Sequence, residues 1–144
     1  MKIIFGELSI QKDAPVSVYD AAAELGIVSR ANIAARVNGK LCAMTELICE
    51  DASVELLTFD DADGKHVFRH TASHVLAQAV KRLYPEAKLT IGPAIDNGFY
   101  YDVDSEVAFT PEILATLEAE MKKIVKENFK IERFELPRAE AIAF

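Results

Sequence analysis

The sequence is short of cysteine, of positive charge and of long hydrophobic runs, and each shortage excludes a class of protein. Its only two cysteines, Cys42 and Cys49, have neither a CxxC nor a zinc-finger spacing, so we expect a reduced, cytoplasmic protein. No stretch approaches the roughly 20 apolar residues of a membrane span, and residues 1–6 do not open a signal peptide. The 23 acidic and 16 basic side chains give a net charge of -7, which argues against binding nucleic acid through a general positive surface.

Low-complexity tracts and fixed-period repeats are also missing, which predicts an ordered chain. A length of 144 residues with 51% hydrophobic side chains suits one ordinary domain or two small ones. The acidic stretch DDADGK at residues 60–65 is the strongest boundary signal. We therefore expect one domain over residues 1–62 and a second over residues 63–144.

The first domain is predicted to be a small α+β unit with the element order β-β-α-β-β-β. Its short helix, residues 18–25, has Ser17 as a capping residue and Gly26 as a stop. The pair Asn38-Gly39 is the strongest hairpin signal in the chain. The predicted strands are residues 2–5, 8–10, 33–37, 40–42 and 54–59. One helix across such a sheet is most simply a β-grasp fold.

Two histidines dominate the second domain. His70 and His74 are four residues apart in a predicted helix over residues 68–84, so both imidazoles fall on one face, about 40° apart. An apolar stripe lies roughly opposite, while Gln78 and Lys81 share the histidine face; the stripe is Ala72, Leu76, Ala79 and Leu83. His66 is expected at or before the helix start, as a surface residue.

A pair of exposed imidazoles permits metal ligation, acid/base chemistry near neutral pH, or hydrogen bonding to a polar substrate. An isolated HxxxH is a weak signal, and most such pairs have no chemistry. Two imidazoles are too few for a closed zinc site, and no third or fourth ligand follows at a suitable spacing. We predict no tightly bound metal.

Further strands and helices follow the histidine helix. Segments 88–91 and 99–103 are β-prone on either side of a turn at Asn97-Gly98. Thr110-Pro111-Glu112 is a helix start, and segment 131–136 favours a strand. A last helix starts at Pro137 and is cut short at Phe144, which indicates a missing remainder. The apolar stripe predicted for the helix after Thr110 is Ile113, Leu114, Leu117, Met121, Ile124 and Val125.

Several of these stretches together resemble one known family. The runs RHTASH at residues 69–74 and AKLTIGPAIDNGFYYD at residues 87–102 resemble the start of the editing domain in the bacterial threonyl-tRNA synthetase family. The preceding unit, with RVNG at residues 36–39, resembles the ubiquitin-like TGS domain that opens the same enzymes. The resemblance runs over nearly the whole chain. It implies a TGS domain followed by an incomplete α+β editing domain, the second additional domain of the family.

The function implied by the resemblance is proofreading. The family's aminoacylation site can mistake serine for threonine, and the editing domain hydrolyses the resulting seryl-tRNA ester. On this reading His70 and His74 belong to the pocket for the 3′-terminal adenosine and its ester, and Tyr101 is either a wall of that pocket or a half-buried strand aromatic. The family site also uses a cysteine and a histidine from a motif that follows the region present here. We expect the chain alone to be inactive.

The resemblance also implies which cofactors, partners and contacts belong to the full enzyme. The catalytic core that would bind ATP, Mg and Zn is absent from these residues, so we expect no cofactor here. The implied partner is the acceptor end of threonine tRNA, with no membrane involved. Dimerisation in the family comes from the core, so we expect a homodimer for the full enzyme and a monomer for this chain.

Two alternatives remain open. A nucleoside kinase-like protein with a similar N-terminal pair of domains would carry a Gly-rich phosphate-binding loop, which this sequence lacks, and would not be expected to need both histidines. A non-catalytic module could instead bind RNA or a protein through the β-grasp sheet. The acidic balance of the chain weighs against unaided binding of RNA.

Overall fold

A five-stranded mixed sheet forms the first part of the chain in the computed structural model, which describes residues 1–131 and 134–144. The strand order is β2-β1-β7-β4-β5, and only the β1–β7 pairing is parallel. A separate antiparallel pairing joins β3 and β6. In chain order the elements are β1 (Lys2–Phe5), β2 (Leu8–Gln11), β3 (Val16–Ser17), α1 (Val18–Glu24), β4 (Ala34–Val37), β5 (Lys40–Cys42), β6 (Leu47–Ile48) and β7 (Ala52–Leu57).

Local sequence signals explain most of these boundaries. Ser17 caps α1 by accepting a hydrogen bond from the Asp20 amide at 3.0 Å, as predicted. Asn38 and Gly39 connect β4 to β5 with φ angles of 50° and 80°, the left-handed conformation that a two-residue hairpin turn requires. The Asn38 side chain also accepts a hydrogen bond from the Ser53 amide at 2.8 Å. This turn is therefore tied to the neighbouring strand β7 as well.

The core of this part lies between the sheet and α1. Side chains of β1 alternate between exposed and buried positions, as expected for a strand with one covered face. Ile3 of β1 and Val18 of α1 are completely buried. The buried cluster consists of Ile3, Phe5, Val18, Ala21, Ala22, Ala35, Ile48, Ala52 and Val54. The predicted α+β organisation is thus present, with two additional two-residue strands.

The histidine helix, α2 (Ala62–Leu83), starts six residues earlier than the sequence predicts. The acidic stretch at residues 60–65, interpreted as a domain boundary, contains the first turn of α2. Asp61 stabilises the backbone turn that precedes the helix. Its carboxylate accepts hydrogen bonds from the Thr58 amide and hydroxyl at 2.7 and 3.0 Å, which lower the pKa of Asp61. Gly64 is buried so close to Thr58 that a Cβ would overlap the Thr58 carbonyl oxygen. His66 consequently lies inside the helix, and its predicted position before the helix start is wrong.

An ion pair and an aromatic contact help to connect the sheet to the start of α2. Arg36 of β4 donates to Asp63 in the first turn of α2 at 2.6 Å and to Glu55 of β7 at 2.7 Å. Phe59, just after β7, makes an edge-to-face contact with Phe68 of α2 at a centroid distance of 5.3 Å. The first turns of α2 are therefore held against the sheet by both charge and aromatic packing.

A long hairpin and two helices follow α2: β8 (Lys88–Leu89), β9 (Ala94–Ile95), β10 (Gly98–Phe99), β11 (Val103–Asp104), α3 (Pro111–Glu127) and α4 (Arg138–Ala143). Antiparallel pairs β8–β11 and β9–β10 form the base and tip of the hairpin. The turn residues at the tip are Asp96 and Asn97, one position before the predicted Asn97-Gly98 turn. Ile131 and residues 134–136 are irregular rather than a strand; positions 132 and 133 of that prediction lie outside the described residues.

Helices α2 and α3 pack against each other around a second buried cluster, formed by Ala79, Val80, Ala87, Leu117 and Ile124. The Thr110 hydroxyl caps α3, as predicted. Two members of the predicted stripe, Leu114 and Val125, are instead 53% and 66% exposed. They lie about 80–100° around the helix from Ile124, whereas Glu120 takes a place in the interface. None of the helices in the described ranges is long and apolar enough to cross a membrane.

Candidate functional site

The two histidines of the motif are in direct contact on the exposed face of α2. The Nε2 atoms of His70 and His74 are 3.0 Å apart, and their rings are nearly perpendicular, with centroids separated by 4.6 Å. At this distance one imidazole donates its N–H to the other. Both side chains are exposed, and the core-facing stripe of α2 does not use them, as the helical pattern predicts. The pair is therefore available to a ligand.

A third imidazole extends the pair along the helix. His66 is exposed and stacks on His70, with rings 9° from parallel and centroids 6.3 Å apart. The three histidines form a column with a spacing of four residues on one face of α2. Sequence reasoning missed this neighbour because it placed His66 outside the helix.

Arg69 connects α2 to the tip of the long hairpin. Its guanidinium donates to the carbonyl oxygens of Ile95, at 3.2 Å, and Asp96. The same group lies 5.8 Å from the centre of the Phe59 ring, within the range of a cation–π contact. Sequence reasoning quoted this arginine within the motif but gave it no role. The available signal was its position immediately before His70.

Tyr101 lies in the long hairpin, between β10 and β11. Its half-buried ring packs over Gly92, where a Cβ would overlap the ring. It borders a groove of about 610 Å3 with Leu76, Phe109 and Leu114 among its walls. Within residues 1–131 and 134–144 no hydrogen bond or ring contact joins Tyr101 to His70 or His74. The structure therefore brings together two of the three predicted site residues.

An ion-pair network fixes the far end of α2 against α3. Arg82 forms a two-pronged contact with Glu127, at 2.9 and 2.7 Å, and reaches Glu120 at 3.3 Å. Glu120 is only 9% exposed and also accepts from Lys123 at 2.9 Å. Lys123 and Arg82 lower the pKa of Glu120, and Arg82 lowers the pKa of Glu127. The helix that carries the histidines is thus anchored at both ends.

The chemistry open to this arrangement is that of two imidazoles in direct contact. Across the described parts of the chain, no group of three or more His, Cys, Asp or Glu side chains is placed to hold a metal ion. Cys42 is half-buried at the edge of the first core, where burial raises the pKa of its thiol, and Cys49 is exposed. Neither cysteine contacts the histidine column. The pair can orient a hydroxyl or a water molecule, and it can accept or release a proton.

No protein-family model matches the chain. Individual curated proteins match it closely. A threonine-tRNA ligase from Clostridium kluyveri is 56% identical over 139 residues, which cover 96% of this chain and 22% of the ligase. Threonine-tRNA ligases from Clostridium tetani and Clostridioides difficile are 64% identical over 110 residues and 51% identical over 144 residues. These two matches cover 76% and 99% of this chain, and 17% and 22% of the respective ligases.

The chain thus spans about a fifth of the length of the curated relatives it matches. The match to the Clostridioides difficile ligase covers 99% of the chain, so it includes the first strands, the histidine helix and the long hairpin. The resemblance inferred from the motifs is therefore confirmed: the chain corresponds to the N-terminal region of the threonyl-tRNA synthetase family.

Proposed function

We propose that this chain is the N-terminal part of a threonine-tRNA ligase and that it contributes half of a site that hydrolyses mischarged seryl-tRNA. In this proposal residues 1–62 form a ubiquitin-like TGS domain and residues 63–144 begin an editing domain. The observation that carries the proposal is the contact between His70 and His74, on the exposed face of a helix, in a chain whose relatives are named threonine-tRNA ligases.

Proofreading answers a limit on recognition of small side chains. Serine lacks one methyl group of threonine, and a single methylene or methyl group in a pocket is worth about 1–3 kcal/mol of discrimination. A synthetic site that must admit threonine therefore also admits serine at an appreciable rate. A second site that removes serine after it has been attached restores the accuracy of charging.

The histidine pair suits the hydrolysis of an ester. One imidazole donates to the other, and a water molecule or a ribose hydroxyl that displaces this direct contact can accept from one ring and donate to the other. Attack of such a water on the ester carbonyl releases serine and returns a proton to the ribose oxygen. Imidazoles are suited to this transfer near neutral pH, and positioned acid/base groups typically contribute about 10²–10⁴-fold.

The remaining parts of the reaction lie outside this chain in our proposal. The family pattern supplies a further cysteine and histidine to the editing site, so this polypeptide alone should not hydrolyse the ester. ATP, Mg and Zn would bind in the catalytic core, which would also form the homodimer. The net charge of -7 supports a division of labour in which other regions provide most of the attraction for tRNA and this region contacts the acceptor end.

The test is a chimera in which this chain replaces the matching residues of the Clostridium kluyveri ligase. The measured rate is the hydrolysis of serine from threonine tRNA. We expect hydrolysis by the chimera, none by the isolated chain, and a loss of at least about 100-fold in the chimera for His70→Ala and for His74→Ala. His66→Ala is the matched control, because that imidazole is exposed on the same face and stacks on His70; it should change the rate by less than about 3-fold.

Threonine charging by each chimera serves as the check on folding, since it depends on the distant core. Hydrolysis that survives both alanine substitutions would show that the pair is not part of the site. A chimera that charges threonine but clears no serine, when the natural Clostridium kluyveri enzyme does clear it, would contradict an editing role for this chain.

A further inference from the structure

Arg69 of α2 hydrogen-bonds to the tip of the long hairpin, next to the histidine pair. Arg69 donates to the two carbonyl oxygens that lead into the turn, those of Ile95 and Asp96. A guanidinium can present two N–H groups in a fixed plane, so it holds adjacent carbonyl groups in a defined orientation. The turn residues are otherwise exposed.

The side of α2 that carries Arg69 is also the side that is covered. Ser73 lies four residues after Arg69, on the same helical face, and is 0% exposed. Helix α2 contacts both strands of the hairpin tip, β9 and β10. His70 and His74 each follow this face by one residue, or about 100° around the helix. The pair therefore stands at the border between the hairpin and solvent.

The backbone around His70 is fixed from the same side. The Ser73 hydroxyl, fully buried, donates to the His70 carbonyl oxygen at 2.7 Å. The Arg69 guanidinium also contacts the ring of Phe59, which itself packs against Phe68. The guanidinium thus lies between the end of the sheet and the tip of the hairpin.

We propose that Arg69 is a positioning residue for ester hydrolysis: it fixes the hairpin tip, residues 94–99, as one wall of the pocket onto which His70 and His74 open. This inference rests on the proposed function. The hairpin wall limits where the ester can lie relative to a water held by the imidazoles. Release of the wall widens the pocket without removing either imidazole.

The expected kinetic effect falls on kcat. Misplacement of reacting groups by about 1 Å can cost about 100-fold in rate. In the proposed function most of the binding energy of the tRNA would come from contacts elsewhere, in an enzyme more than four times as long as this chain. In the chimera described above, Arg69→Met should lower kcat for seryl-tRNA hydrolysis about 10–100-fold and change KM by less than about 3-fold. Arg69→Lys, which can still donate to one carbonyl oxygen, should recover part of the loss.

Lys65→Ala provides the matched control. The Lys65 ammonium lies 5.5 Å from the centre of the same Phe59 ring, one helical turn before Arg69, and none of its described contacts reaches the hairpin. Its removal should leave kcat within about 2-fold of the parent value. An equal loss in Lys65→Ala and Arg69→Met would assign the effect to the Phe59 contact and overturn the proposal.

A second measurement separates this inference from the proposed function. Amide hydrogen exchange in the 144-residue chain should accelerate at least about 10-fold at residues 94–99 in Arg69→Met, with no change in β1, β4 and β7. Unchanged exchange at the tip would overturn the proposal even if activity falls. Full hydrolysis by Arg69→Met, together with none by His70→Ala, would overturn it and leave the proposed function intact. Absence of hydrolysis in the parent chimera would overturn both the proposed function and this inference.

Discussion

Replacement of Leu117 by alanine tests how the histidine helix is held. Leu117 is 2% exposed and belongs to the cluster between α2 and α3. The substitution removes three carbon atoms, worth about 0.8 kcal/mol each in transfer free energy. Leu117 also borders the open groove beside Leu114, so the space it leaves can be reached by water and adds little to the cost of a closed cavity. We expect the free energy of unfolding to fall by about 2.5 kcal/mol.

Leu114→Ala is the matched control, on the same helix and with the same chemical change. Leu114 is 53% exposed, so Leu114→Ala should lose only about half of the transfer free energy and lower the free energy of unfolding by about 1 kcal/mol. Urea unfolding followed by circular dichroism at 222 nm reports mainly on α2 and α3. With a slope of about 1–3 kcal/mol per molar urea, Leu117→Ala should lower the midpoint by about 0.8–2.5 M. A cost for Leu114→Ala equal to or above that for Leu117→Ala would refute the described packing.

Two further predictions concern the hairpin and the ion-pair network. Gly92→Ala should destabilise the protein by about 1–3 kcal/mol, because the new methyl group overlaps the Tyr101 ring. Thermal unfolding should show little destabilisation by Gly92→Ala in a protein that also carries Tyr101→Ala. Full destabilisation in that background would show that the overlap with Tyr101 is not the cause. The ion pairs of Glu120 and Glu127 should contribute fully to the free energy of unfolding above pH 4.5, the ordinary pKa of both side chains. This contribution should decline as the pH falls through their lowered pKa values in the folded protein. Arg82→Met should flatten this decline in urea titrations between about pH 5 and 3, and an unchanged profile would exclude the network as its source.

The signals that predicted local structure correctly were those with a direct steric or hydrogen-bonding cause. Ser17, Thr110 and the Asn38-Gly39 turn act within a few residues of themselves, so the printed sequence contains all of their partners. The separation of the histidine face from the core-facing stripe of α2 was predicted for the same reason, because it follows from helical periodicity alone. Local chemistry of this kind does not depend on how the elements later pack.

The errors arose where partners are distant in sequence. The start of α2 is held in part by Arg36, a residue from β4 that pairs with Asp63. The interface of α3 includes Glu120 because Arg82 of α2 pairs with it, whereas the purely apolar pattern left Glu120 out and included Leu114, which is 53% exposed. Periodicity could not have found either partner.

The candidate site divides in the same way. The contact of His70 with His74 was predictable, since both belong to one helix. The role of Arg69 was not, because its two acceptors are backbone oxygens 26 and 27 residues away. Carbonyl groups carry no side-chain signature, so a contact to them leaves no trace in residue types.

The parallel pairing of β1 with β7 has a consequence for the order of folding. Ile3 pairs with Ala52, and β1 lies between β2 and β7. The first strand to be synthesised therefore cannot complete its pairing until β7, the last strand of the sheet, has been synthesised. At about 5–20 residues per second, the roughly 40 residues between β2 and β7 take about 2–8 s to emerge. During that interval the edge of β1 that will pair with β7 is unpaired. Contacts between residues so far apart in the chain slow folding, so the sheet should form late and in a single cooperative step.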